Sequence, residues 1–137
     1  MEGHDGSFAP EILACPCCGE LEFNPLLYNG LKELNWWVMR PVVITSGYRC
    51  SDHNVAIDGH PNSYHVKGMA ADLYIPELSF EAALELILEV EQFRKGGIGL
   101  DPGDKTFHLD VRYKQARWGK VNGHFVGFDR VLGLRAA

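Results

Sequence analysis

Apolar residues repeat at helical spacing in two segments of this sequence, and short apolar runs typical of strands lie between and after them. From Ser79 to Phe93, apolar side chains recur every three to four residues while glutamates occupy the opposite face, which predicts an amphipathic helix. A second predicted helix opens at Asn24 and Pro25 and ends near Met39, just before a proline. Both helices need another layer of structure to cover their apolar faces.

Three short segments have the composition of β-strands. Val42–Thr45 is rich in β-branched residues, Met69–Ile75 is apolar apart from one aspartate, and Thr106–Arg112 alternates apolar and polar side chains. This pattern predicts an α+β fold with a small antiparallel sheet and flanking helices. The segment Tyr48–Gly68 is polar, turn-rich and longer than a simple connection, so we expect it to be a functional loop.

The length of 137 residues is typical of one domain. We therefore predict a single domain over residues 1–137, with residues 1–22 as an N-terminal arm. The net charge of −5 gives no general attraction to nucleic acid, and no such partner is expected. No apolar run approaches the roughly 20 residues of a membrane span. Residues 1–10 also lack the basic start and apolar core of a signal peptide.

The four cysteines leave three alternatives open. Cys15 and Cys18 have the C-x-x-C spacing of a zinc knuckle, to which Cys50 and His53 would add the remaining ligands, with Cys17 left over. A disulfide from the cluster to Cys50 is a second alternative, and four reduced thiols are the third. The cysteines therefore do not identify the redox compartment.

Asp72 interrupts the apolar run Met69–Ile75, where an unpaired carboxylate would cost several kcal/mol of desolvation. A divalent metal shared with His65 and His108 would supply the partner that this carboxylate needs. Two imidazoles and one carboxylate leave the fourth position of a tetrahedral zinc open to water. An open position is typical of a catalytic zinc, which lowers the pKa of water and polarises a scissile carbonyl.

Alternate side chains of the strand Thr106–Arg112 share a face. The face expected to join the core carries Phe107, Leu109 and Val111. The opposite face carries Thr106, His108, Asp110 and Arg112. An imidazole, a carboxylate and a guanidinium in one row indicate a solvent cleft or a metal site.

Three motifs occur in order along the chain. The first is Ser46-Gly47-Tyr48-Arg49, the second has the spacing S-x-H-x-x-G-x-A-A-D from Ser63 to Asp72, and the third is His108-x-Asp110. Together they resemble the zinc D-alanyl-D-alanine carboxypeptidase family of murein peptidases, which is related in fold to the hedgehog signalling domain. The resemblance runs from about Phe8 to Trp118.

This resemblance implies a zinc ion held by His65, Asp72 and His108. It also implies that the Arg49 guanidinium lies near a substrate carbonyl or carboxylate, and that Ser63 contacts substrate. A guanidinium suits that role because it can stabilise an oxyanion or pair with a carboxylate. As alternatives, Arg49 could form a loop salt bridge and Ser63 could cap the turn before His65.

The sequence departs from the better-known members of that family at the general base. Their acidic residue three positions before the last zinc histidine is replaced here by Lys105. Asp110 could accept the proton from water or orient the His108 imidazole, and we favour the orienting role. Asp104 is the other catalytic candidate. Thr106 stands where the hedgehog-like pattern has a further histidine.

The predicted function is that of a zinc metallopeptidase acting on the stem peptides of bacterial peptidoglycan. Carboxypeptidase and endopeptidase action, with D,D- or L,D-specificity, both fit the motifs. We expect a monomer whose site of action is the periplasm or the cell wall, and a phage origin would fit a chain without a signal peptide.

Two other functions use the same residues. A binding module of hedgehog-like fold would keep the zinc without catalysis, and Lys105 is the feature that favours it. A non-haem iron oxygenase could use His108, Asp110 and His124 as its metal triad. Such enzymes usually have a barrel of about eight strands, more than this sequence indicates.

Overall fold

Six strands and five helices make up the described residues, 6–136, of a computed structural model. The strands are β1 (Val43–Ser46), β2 (Ala70–Tyr74), β3 (Gly97–Asp101), β4 (Thr106–Asp110), β5 (Ala116–Val121) and β6 (His124–Val126). The helices are α1 (Pro25–Val38), α2 (Ser51–Ala56), α3 (Phe80–Ile87), α4 (Glu91–Arg94) and α5 (Phe128–Ala136), preceded by a 3₁₀ turn at Pro10–Leu13. Residues 1–5 of the predicted arm lie outside the described part.

All six strands join one sheet in the order β1-β2-β4-β3-β5-β6. Four of the five pairings are antiparallel, as predicted, whereas β3 and β5 are parallel. Strand β4 ends beside Gly97, the first residue of β3. The chain then passes this end of β3 and forms β5 on the side of β3 away from β4, so β5 runs in the same direction as β3. The predicted α+β class is confirmed, and the sheet is mixed.

Helix α1 follows the sequence prediction closely because its ends are capped. The Asn24 side chain accepts a hydrogen bond from the Leu26 N–H at 2.8 Å, and Pro25 occupies the first turn. The helix ends where Met39 adopts a left-handed conformation with φ of 64°.

The helix predicted over Ser79–Phe93 is divided into α3 and α4. Ser79 caps the first of these by accepting a hydrogen bond from the Ala82 N–H at 3.1 Å. The break after Ile87 changes the direction of the chain so that Val90 and Phe93 point into the core. Ile87, Val90 and Phe93 are all fully buried there.

Helices α1, α3, α4 and α5 pack on one face of the sheet. The predicted core residues Phe107, Leu109 and Val111 are buried there, and the Phe107 ring stacks on Phe80 with centroids 4.4 Å apart. The other face of β2 and β4 is left to the polar residues and to the loop that follows β1.

Five helices and strands fall where the sequence predicted none: α2, α5, β3, β5 and β6. The expected loop Tyr48–Gly68 contains α2, whose first turn is closed by a hydrogen bond from the His53 N–H to the Cys50 sulfur. Strand β3 includes Gly97 and Gly99, which have low strand propensity. None of the helices in residues 6–136 has the length and hydrophobicity that a membrane crossing requires.

Candidate metal and catalytic site

The candidate site is centred on Asp72 in the middle of β2. In the antiparallel register Asp72 lies directly opposite His108 of β4, so both side chains leave the same face of the sheet. The distance from Asp72 Oδ1 to His108 Nδ1 is 3.1 Å. The predicted strand alternation therefore places these two residues together.

His65 reaches the same oxygen from the loop before β2. Its Nε2 lies 3.2 Å from Asp72 Oδ1, and the residue is almost fully buried. Its other ring nitrogen, Nδ1, lies 2.8 Å from the carbonyl oxygen of Gly47. Because a carbonyl can only accept, Nδ1 must donate that bond, which leaves the Nε2 lone pair of a neutral imidazole directed at Asp72.

His108 is held in the complementary way. Its Nε2 lies 2.7 Å from Asp110 Oδ2, so it donates to that carboxylate and leaves the Nδ1 lone pair facing Asp72. When both rings are neutral, two imidazole lone pairs and one carboxylate oxygen converge with no proton donor between them. A cation at their centre resolves this arrangement.

The three side chains have the spacing and chemistry of a zinc site. Their ligand atoms all lie within 4.8 Å of one another. Tetrahedral zinc bonded at about 2.0–2.2 Å needs ligand atoms roughly 3.3 Å apart. The distances of 3.2 and 3.1 Å from Asp72 Oδ1 to the two histidine nitrogens are close to this value. Each histidine also donates its other N–H to a carbonyl or carboxylate, as zinc-binding histidines usually do. His65, Asp72 and His108 therefore fit zinc with one position open.

The pKa shifts reflect the same concentration of charge. Burial raises the pKa of Asp72, but hydrogen bonds and positive charge from His108 and His65 outweigh it and hold that pKa well below its usual range. Burial lowers the pKa of His108, while Asp110 and Asp72 together raise it above its ordinary value. The carboxylates of Asp72 and Asp110 thus favour a positive charge at His108, which lies between them.

Asp110 is fully buried, and its carboxylate accepts five hydrogen bonds. Oδ1 accepts from the Gly97 N–H at 2.9 Å and from Nε and the backbone N–H of Arg112 at 2.8 and 3.2 Å. Oδ2 accepts from His108 at 2.7 Å and from Arg112 Nη2 at 2.6 Å. Burial raises the pKa of Asp110, but bonds from His108 and Arg112 bring it well below its usual range. These contacts hold the His108 imidazole through its Nε2.

Two glycines of β3 make room for this arrangement. A Cβ at Gly97 would collide with the Asp110 carboxylate, and one at Gly99 would lie 2.6 Å from the Trp118 ring. That indole in turn packs against His108, with ring centroids 5.1 Å apart. Gly97, Gly99 and Trp118 lie within the range of the resemblance, Phe8 to Trp118, but sequence reasoning gave them no role in the site.

Arg49 reaches the site from the segment after β1. Its Nη2 lies 3.7 Å from Asp72 Oδ2, on the other oxygen from the one the histidines approach. Its Nη1 donates to Asn54 Oδ1 at 3.2 Å and its Nε to Ser46 Oγ at 3.4 Å. Asn54 of α2 was missed because no apolar periodicity marks a helix in this polar loop.

The remaining predicted residues lie outside the group of ligand atoms. Ser63 is half-buried, and its Oγ accepts a hydrogen bond from the His65 N–H at 3.2 Å, as the turn-capping alternative expects. Asp104 and Lys105 are exposed in the turn between β3 and β4. His124 of the oxygenase alternative is exposed on the edge strand β6, and residues 6–136 contain no metal-binding group that includes it.

Asp101 is a carboxylate that sequence reasoning missed. It ends β3 and pairs with Thr106, so it emerges on the same sheet face as His108, which pairs with Gly99. Its Oδ1 accepts a hydrogen bond from the Asp104 N–H at 3.3 Å. The sequence signal that could have identified Asp101 is its position at every second residue with Gly97 and Gly99, which places all three on one face of a strand.

Comparison with known protein families adds one finding. Residues 6–110 match the family model described as Peptidase M15, which covers about three quarters of the chain. That range includes Arg49, the three candidate ligands and Asp110. A search of curated proteins found no match.

Proposed function

We propose that this chain, which belongs to the Peptidase M15 family of zinc peptidases, hydrolyses peptide bonds in the stem peptides of bacterial peptidoglycan. The match confirms the family that the three motifs predict. The observation that carries the proposal is the convergence of lone pairs from His65, Asp72 and His108, with both imidazoles fixed from behind. Zinc held there would lower the pKa of a water molecule and polarise a peptide carbonyl.

Arg49 is proposed to bind the substrate oxygen that gains negative charge. Contacts with Asn54 and Ser46 hold its guanidinium beside Asp72, and its side chain is only 14% exposed. A carbonyl or terminal carboxylate that approaches the three ligands would therefore meet a fixed N–H donor. Ser63, at the edge of the same loop, is proposed to contact the peptide.

Asp110 is proposed as the residue that positions His108. Its oxygens are fully engaged by donors in a buried setting, so the carboxylate fixes the tautomer of His108 and has no free lone pair for a proton from water.

The proton acceptor is proposed to be a carboxylate of the β3–β4 hairpin. Asp101 is favoured over Asp104 because the strand register places it on the His108 face, one diagonal position away. A carboxylate at that distance can act through one water molecule. Asp101→Asn should lower kcat at least tenfold with zinc content unchanged, and Asp104→Asn serves as the matched variant. The reverse pattern would assign the role to Asp104.

The decisive experiment is digestion of purified bacterial sacculi and of synthetic stem peptides, with products identified by mass spectrometry. Matched samples contain a chelator, then restored zinc, and a His108→Ala variant is run in parallel. Chelator-sensitive loss of terminal D-alanine would define a carboxypeptidase, and opened cross-links an endopeptidase. No product from fully zinc-loaded protein across several wall types would contradict the proposal and favour a binding module.

The assembly and location follow from the same proposal. We propose that the monomer is the active form. Its substrate lies in the periplasm or the cell wall, which is therefore the proposed site of action.

A further inference from the structure

The four cysteines converge on one point at the junction of the N-terminal arm and α2. The Cys15 sulfur lies 3.5 Å from that of Cys17 and 3.7 Å from that of Cys50, and the latter two are 3.3 Å apart. Cys18 completes the group, in which all four sulfurs lie within 4.8 Å of one another. Cys15 is buried, Cys50 half-buried, and the other two are exposed. All four are free thiols.

We infer that Cys15, Cys17, Cys18 and Cys50 bind a second, structural zinc ion. Zinc bonded to four sulfurs at about 2.3 Å sets them roughly 3.8 Å apart, close to the observed separations. A disulfide would need two sulfurs at about 2.05 Å and would leave the other two unexplained. The convergence of all four is the geometry of a closed tetrahedral thiolate site.

Backbone N–H groups support the cluster as they would support thiolates. The Cys50 N–H donates to the Cys15 sulfur at 3.5 Å, and the His53 N–H donates to the Cys50 sulfur at 3.4 Å. The Cys15 turn is closed by a hydrogen bond from the Gly19 N–H to the Cys15 carbonyl at 2.8 Å. Gly19 adopts a φ of 75°, which suits a glycine and lets the chain reverse around the sulfurs.

This ligand set differs from the zinc knuckle considered from sequence. That arrangement used the His53 ring and left Cys17 over, whereas the structure gathers Cys17 and keeps the His53 ring outside the group. Spacing alone could not separate the two because Cys50 and His53 are themselves a C-x-x-H pair.

The proposed zinc would brace the substrate side of the peptidase site. Cys50 directly follows Arg49, and the Tyr48 N–H donates to the Leu13 carbonyl at 2.7 Å, so the arm and the Arg49 segment are already in contact. A metal that joins Cys15 to Cys50 closes a loop of 35 residues around this contact. It would thereby hold Arg49 beside Asp72 without being part of the reaction.

Metal counting by native mass spectrometry and elemental analysis tests this inference. The protein is purified under reducing conditions with zinc present, and wild type is expected to hold two zinc ions. A His65→Ala/His108→Ala variant should keep one zinc, and Cys17→Ser should lose that one while keeping the other. On cobalt substitution, the double-histidine variant should show the intense thiolate-to-cobalt absorption of a sulfur site, a result that needs no cysteine variant to fold.

His53→Ala is the matched control because it removes the neighbouring imidazole and should leave two zinc ions bound. Loss of the second zinc in His53→Ala with retention in Cys17→Ser would overturn the four-cysteine ligand set. A single zinc in wild type that disappears in the double-histidine variant would overturn the site itself. A disulfide that persists under these reducing conditions with zinc present, seen as a mass lower by two hydrogens, would do the same. Because these readouts do not use peptidase activity, they are independent of the proposed function.

Discussion

Asp110→Asn should weaken zinc binding at the histidine site by roughly 10- to 100-fold, the usual cost of losing a partner behind a metal-binding histidine. Asn has nearly the same shape as Asp, but it carries an NH₂ group in place of one carboxylate oxygen. Both oxygens of Asp110 act as hydrogen-bond acceptors, whereas an NH₂ group can only donate. An NH₂ group at the Oδ2 position would face the N–H donors of His108 and Arg112 at 2.7 and 2.6 Å. In that orientation His108 avoids two opposed donors by moving its proton to Nδ1, where it blocks the metal.

The same substitution should also lower the free energy of unfolding. Removing one partner of a fully buried ion pair costs about 3–5 kcal/mol. The Arg112 side chain is 22% exposed and can recover some hydration, so we expect about 2–3 kcal/mol here. Arg112→Gln is the matched control, because it breaks the ion pair and leaves the contact between Asp110 and His108 in place.

The two variants separate positioning of His108 from general stability. Urea unfolding of metal-free protein should show a similar loss for both, whereas competition with a chromophoric chelator should show weaker zinc binding for Asp110→Asn alone. Nitrogen NMR should detect the changed His108 tautomer. Zinc affinity of Asp110→Asn within about twofold of wild type would refute the reasoning.

Further predictions address the ligands, the substrate side, the packing and the pH response. His65→Ala should lose one zinc per chain by elemental analysis, and full zinc content would remove His65 from the ligand set. Arg49→Lys should lower kcat/KM roughly tenfold or more with zinc unchanged, because an ammonium lacks the planar fork; unchanged kinetics would make Arg49 structural. Gly99→Ala should cost about 1–3 kcal/mol in urea unfolding because its methyl group meets Trp118 at 2.6 Å, and unchanged stability would contradict that contact. Burial lowers the pKa of His108, but its two carboxylate neighbours raise it above the ordinary value of 6.5. Protons should therefore compete with zinc for His108 at pH values above 6.5. Below the pKa of His108, zinc affinity should fall by up to about tenfold for each unit by which the pH is lowered. Zinc affinity that does not change between neutral and acidic pH would contradict this assignment.

Elements with strong local signals could be predicted from sequence. Helix α1 has a cap, an apolar stripe and a stop, and β4 alternates without interruption. The same alternation, together with an aspartate in an apolar run, is enough to single out His108 and Asp72 as candidate ligands of one site, and the sheet register brings these two side chains together. These features depend on short-range geometry, which the order of residues specifies directly.

The rest depends on contacts between distant segments. Gly97 and Gly99 weaken β3 as a local signal, yet they are needed there because Asp110 and Trp118 pack over them. Likewise, Cys15 and Cys50 are 35 positions apart, so only the fold shows which sulfurs meet. No local pattern contains that information.

A crystal structure of the zinc-loaded protein, with anomalous scattering recorded on both sides of the zinc absorption edge, tests the central claim most directly. We expect an anomalous peak bonded to His65 Nε2, an Asp72 carboxylate oxygen and His108 Nδ1, with a fourth position open to solvent. A peak elsewhere, or zinc bonded through His108 Nε2 with Asp110 displaced, would contradict the proposed ligand set.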